Sequence, residues 1–246
     1  MQRVDDVCRT LRRCTNVLLA MTCLSCAKQD VAVEFFFADG YHFSQSERRA
    51  IQTVADATAI EVRSLLPALP HDLVLRVQAG TRVIPETGET AYATLPNSVR
   101  WIVDPNHAGG VSGTIQRELR ATLFHEFHHL VRYATAGRSE SLMDEVVTEG
   151  MATVFERDAA GASPPWGMYS KEAMNWVIEL SALPPDADRT YWLTKSHVDG
   201  RRWIGMRAGA YLVDRAIRAS GKSAAALVSI SSREVVDMGA AGIHLR

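Results

Sequence analysis

The chain has 246 residues, 47% of them hydrophobic and 22% charged, which excludes a disordered, collagenous or coiled-coil protein. That length suits one domain of at most two lobes, because a single core stops growing at roughly 250 to 300 residues. With 27 Lys and Arg against 28 Asp and Glu, the net charge is −1 and neither sign is concentrated, so the basic footprint of nucleic-acid binding is missing.

The amino terminus reads first as an export signal. Arg9, Arg12 and Arg13 precede an uncharged run from Cys14 to Ala27, centred on Val17, Leu18, Leu19, Ala20 and Met21. The run is too short to span a bilayer, and Ser25-Cys26-Ala27 supplies small residues for cleavage, so residues 1–27 are expected to be a secretory signal. Asp5 and Asp6 depart from that pattern, and a buried amphipathic helix is the alternative. All four cysteines, Cys8, Cys14, Cys23 and Cys26, lie in this region. A chain processed after Ala27 has no thiolate, so a metal site in it draws on His, Asp and Glu. Lipid attachment at Cys26 is a second option, although Cys23 stands where the bacterial lipoprotein signal has leucine. Either way the mature chain is expected in the periplasm, the cell envelope or the medium, with no membrane span.

Residues 31–37 alternate and are rich in β-branched and aromatic side chains, predicting a strand that Asp39-Gly40 turns. Ser44 and Glu47 form a capping box. After it Ile51, Val54, Ala55, Thr58, Val62, Leu65 and Leu66 recur at helical spacing until Pro67 stops them. Leu73, Leu75 and Val77 predict a second strand and residues 99–103 a third, joined by a Pro- and Gly-bearing connection. From about Thr114 the chain reads as almost wholly helical, broken at Gly137, Pro164-Pro165, Pro184-Pro185 and Gly221. Strands followed by helices give an α+β domain over residues 28–246, with an α/β lobe to about 136 and a helical lobe beyond it.

The informative segment is Leu123-Phe124-His125-Glu126-Phe127-His128-His129-Leu130, preceded by the glycine-rich stretch from Ala108 to Gly113. On a helix His125 and His129 project from one face and can grip one metal ion, with Glu126 beside them. Zinc held by neutral imidazoles keeps a position open for water, and an adjacent carboxylate can take the water's proton. A chance match to His-Glu-x-x-His in such a chain is on the order of 1%. Leu119, Leu123, Phe127, Leu130 and Val131 give the same helix a core face. His128 falls outside the ligand pair and reads as a flanking polar residue. His42, His71, His107 and His244 have no partners at ligand spacing and read as surface or loop histidines.

A third ligand is expected from the next helical stretch, which offers Asp144, Glu145 and Glu149. His-Glu-x-x-His followed by Glu149-Gly150-Met151-Ala152 resembles the gluzincin metallopeptidases, most of all small uncharacterised bacterial proteins predicted to be zinc-dependent proteases. Glu149 stands twenty positions after His129, a spacing similar to that group. The resemblance implies a zincin-like fold with the active-site helix crossing beneath a small sheet, one Zn2+, and a peptide or protein substrate. It also implies that Glu126 is the catalytic base, that His125, His129 and Glu149 are the ligands, and that Glu145 is the competitor for the third place. The losing carboxylate, or Asp144, would stand behind a ligating histidine. The Gly-Ala-Met-Glu-Asn segment with which aminopeptidase relatives hold a free amino group is not found, so cleavage of internal bonds is expected. Residues 99–103 are the candidate sheet edge for an extended peptide. The oxyanion donor such enzymes use has candidates in His197, Tyr191, Arg207 and Tyr211, and Met206 stands where the relatives have tyrosine.

Overall fold

A computed structural model of the chain describes residues 32–194 and 196–245. The expected signal segment, all four cysteines and Val31 lie outside the described residues.

The amino-terminal half is a four-stranded sheet with a long helix on one face. Strand β1 is Ala32–Phe37, β2 Asp72–Ala79, β3 Glu89–Thr94 and β4 Ser98–Val103, in the spatial order β1-β2-β4-β3. The first three in space run parallel and β3 is antiparallel to β4. Helix α1, Gln45–Leu65, starts at the expected capping box, with the Glu47 amide donating to Ser44 Oγ at 3.2 Å and the Ser44 amide to Glu47 Oε2 at 2.7 Å. Leu73, Leu75, Val77, Val99, Trp101 and Val103 are buried on the face that meets the helices.

Two expectations change here. The connection between the second and third expected strands contains β3, whose Glu-Thr-Ala-Tyr-Ala-Thr carries no large aliphatic alternation and so gives little strand signal. The residues expected to form the sheet edge, 99–103, are internal, flanked on both sides, and the edge beside the helical half is β3.

Helix α2, Gly110–Thr114, runs through a π-helical turn, Ile115–Leu119, directly into α3, Arg120–Ala136. The helical run thus begins a turn earlier than expected, with Gly109 in the left-handed conformation at its cap. Gly137 ends α3, and α4, Leu142–Ala160, follows from a second capping box. The two proline pairs separate α4 from α5, Ala173–Ser181, and α5 from α6, Arg189–Leu193. Helix α7, Ile204–Ser220, ends at Gly221 before α8, Ala224–Leu227, and α9, Ser232–Gly239.

Helix α4 joins the two halves. Val147, Met151, Val154 and Phe155 belong to the core shared with the sheet, α1 and α3, whereas Leu142 and Val146 pack with Val177, Leu180, Ile204 and Leu212. Its approach to α7 is closed by glycine on both sides: a Cβ on Gly150 would strike the Gly209 backbone, and one on Gly209 would strike the Val146 carbonyl. Among the described residues no helix is long and apolar enough to cross a membrane.

Candidate metal centre

Helices α3 and α4 pack antiparallel and bring the expected metal-binding residues together. His125 Nε2 lies 3.3 Å from Glu149 Oε2 and His129 Nε2 lies 3.5 Å from Glu149 Oε1. One ligand atom from each of the three falls within 4.8 Å of the others. The other nitrogen of His125, Nδ1, donates to Glu156 Oε2 at 3.1 Å, which leaves Nε2 facing the cluster. The Tyr133 ring stacks on His129 with centroids 5.4 Å apart and planes 8° from parallel. Two imidazole nitrogens and a carboxylate oxygen are a donor set suited to zinc, so the residues present can hold such an ion.

A cavity of about 640 Å³ opens onto this cluster, walled by β3, α3, α4 and the segment from Arg189 to Met206. Glu126 lines it and is only 7% exposed. Burial pushes the Glu126 carboxyl above its usual range, against the pull of His129, His125 and the Ala93 backbone on β3. Burial alone would push Glu149 up as well, but His129 and His125 outweigh it and hold that carboxylate below its ordinary value. Burial works against the charged form of His125, and the Glu149 and Glu156 carboxylates overcome it and raise the imidazole well above its usual value. Protons and a dication therefore compete for the same atoms. Glu89, on β3, is pushed up to about 7 by burial, although Trp101 Nε1 donates to it at 2.8 Å. Among the described residues Trp203, at the cavity wall, is the one non-glycine with positive φ, 61°.

The carboxylates of α4 divide differently from expectation. Glu149 joins the histidines, while Glu145 turns to Arg189 Nη1 at 3.8 Å. Asp144 accepts from the Ser141 amide and hydroxyl, each at 2.9 Å, as the cap of α4. The place behind His125 expected for one of these two belongs to Glu156, seven residues after Glu149. The sequence offered a signal for it, since positions i and i+7 share a helix face.

The four residues named as oxyanion donors stand outside the cavity lining. His197 Nε2 donates to the Tyr191 carbonyl at 3.1 Å, beneath the Tyr191 and Trp192 rings. Tyr211 lies edge-on to Tyr169 with centroids 5.5 Å apart, and Arg207 Nη2 donates to the Pro165 carbonyl at 2.9 Å. Each is a packing or loop-fixing residue. The polar side chains that do line the cavity include Tyr92, Tyr133, Arg82, Arg189 and Arg202, with Met206 beside them. His128 is fully buried against Phe155, its ring nitrogens unpaired among the described residues, and burial holds it well below its ordinary pKa. His42, His71, His107 and His244 are exposed or half-buried, as expected.

No curated protein and no solved structure matches the chain. A family model does match, over residues 44–237, a span that contains the whole cluster and every residue that lines the cavity. The chain therefore belongs to the family described as predicted Zn-dependent protease, DUF2268.

Proposed function

We propose that the protein is a zincin-like, gluzincin-type metallopeptidase that hydrolyses internal peptide bonds, with one zinc ion held by His125, His129 and Glu149. The observation that carries this reading is the convergence of those three ligand groups within 4.8 Å, on a cavity that Glu126 also lines. Bound zinc supplies a Lewis acid that lowers the pKa of water towards about 7. Glu126 takes the proton of the attacking water on its carboxylate and hands it to the departing amine. Its burial supports that role, since a carboxyl with a raised pKa is a better match for proton transfer near neutral pH. Glu156 holds the tautomer and orientation of His125, and Tyr133 braces the ring of His129. The outer edge of β3, past the Ile84–Glu89 bridge, offers main-chain groups along which an extended peptide can lie. Residues 1–27, read as an export signal, put this activity outside the cytoplasm, with Cys26 as the point of attachment if the chain is lipidated.

A second reading is a zinc-binding envelope protein that recognises peptides without turning them over, and the placement of all four expected oxyanion donors outside the cavity favours it. Peptide digestion separates the two. The parent protein is expected to cleave, and Glu126→Gln to slow cleavage by about 10²- to 10⁴-fold while keeping stoichiometric zinc by metal analysis. A zinc-loaded parent that binds peptides and cleaves none would decide for the second reading. A Glu126→Gln protein as fast as the parent would refute the proposed base.

A further inference from the structure

The cavity lining carries positive charge that the proposed metal chemistry leaves unused. Three arginines line it: Arg82 from the connection between β2 and β3, Arg189 from the first turn of α6, and Arg202 just before α7. Arg202 is committed, pairing with Glu86 and lying over the Trp203 ring at 4.5 Å. Among the described residues the one polar contact of the Arg189 guanidinium is the ion pair with Glu145 at 3.8 Å, beyond hydrogen-bond reach, so its donor fork is unfilled there. Arg82 is exposed and has no hydrogen bond or ion pair among the described residues. Both guanidiniums thus keep donors free in the lining of one cavity, Arg82 from the sheet half and Arg189 from the helical half.

A guanidinium with free donors matches a carboxylate in a bidentate geometry, a fit that ammonium groups lack. Facing a substrate cation, the same two groups would cost binding through like-charge contact. Arg82 also sits beside the lead-in to β3, since the Ile84–Glu89 bridge closes that turn. A peptide laid along the β3 edge therefore passes it.

We infer that Arg82 and Arg189 bind a carboxylate of the peptide substrate, so that the cleft selects peptides with an acidic group beside the bond to be cut and rejects those with a lysine there. The inference rests on the peptidase reading of the same cavity. Two sources of carboxylate share this chemistry, an aspartate or glutamate side chain and the free end of a peptide.

The test uses the zinc-loaded full chain carrying Glu126→Gln, so that peptides are bound and not consumed. Dissociation constants are measured for three peptides of equal length: one with an internal glutamate and an amidated end, its lysine counterpart, and an alanine counterpart with a free end. The glutamate or the free-ended peptide is expected to bind at least about tenfold tighter than the lysine peptide at low salt, with the difference shrinking as salt is added. Which of the two does so identifies the source. Arg82→Glu is expected to abolish or invert the ratio, with zinc content unchanged because Arg82 is exposed and far from the ligand set in sequence. Equal affinities, no peptide binding, or a ratio that survives Arg82→Glu would each overturn the inference. Cleavage by the parent, mapped on a digest of mixed peptides, separates the two readings. Cuts without acidic preference would sink the inference and leave the peptidase standing. Preferential binding without any cut would sustain carboxylate recognition and remove the peptidase.

Discussion

On the α3–α4 side of the cleft, the two histidines are buried, Glu149 is half-buried, and each is braced by a neighbour: Glu149 by both histidines, His125 by Glu156, and His129 by Tyr133. The side from Arg189 to Met206 is built from a five-residue helix, loops and a left-handed tryptophan, and Arg189 on it comes no nearer than 3.8 Å to its partner Glu145. Long helices locked by a glycine contact hold one geometry, which ligands for a small ion require. Short elements with half-exposed side chains can adapt to what enters. On the function proposed above, the contrast would leave the metal to the first wall and substrate contact to the second together with Arg82.

The contrast breaks first, and most severely, at the ligand carboxylate. Glu149→Ala is expected to leave no stoichiometric zinc by metal analysis, and Glu145→Ala to keep it. The opposite result would move the metal to the Arg189 side.

Glu89, at the sheet end of the first wall, should show in stability. Its carboxyl is pushed up to about 7 in the fold against an ordinary 4.5, so the folded chain holds a proton that the unfolded chain releases. Its contribution is complete below 4.5 and is lost as pH rises to about 7. In metal-free protein, urea unfolding at about pH 5 and about pH 8 should show the parent losing up to ~3 kcal/mol relative to Glu89→Gln, whose amide oxygen still accepts from Trp101. Parallel pH profiles would show that Glu89 is not the burden its burial implies.

Gly150→Ala places a methyl group against the Gly209 backbone. It should lower stability by about 2 kcal/mol and weaken zinc binding, because the residue adjoins Glu149. A variant of unchanged stability would mean that the α4–α7 contact is looser than the first wall requires. The smallest effect is expected outside the cavity lining, where His197→Ala and Tyr211→Phe should change the rate of peptide cleavage by no more than about twofold. A loss of activity in either would return an oxyanion donor to the helical side of the cleft.

Patterns contained within a few turns of chain were legible from residue order. The capping box at Ser44, the stops at Gly137 and the proline pairs, and the pairing of His125 with His129 all depend on neighbours at short spacing, and all are present in the fold. The strand β3 was not legible, because its alanines and threonines gain their conformation by pairing with β4 rather than by propensity. The edge position followed the same rule, since strand order is a matter of which neighbours pair.

Residue types and spacing were thus enough to name a histidine pair, a base beside it and a choice of two glutamates, because a helix of fixed pitch converts spacing into direction. The selection among the carboxylates needed the packing of α4 between α3 and α7. That packing turned Glu149 to the histidines, Glu145 to Arg189 and Glu156 to the back of His125. Contacts across the fold, between residues 24 to 44 positions apart, set those directions, and no local rule carries information over such a distance.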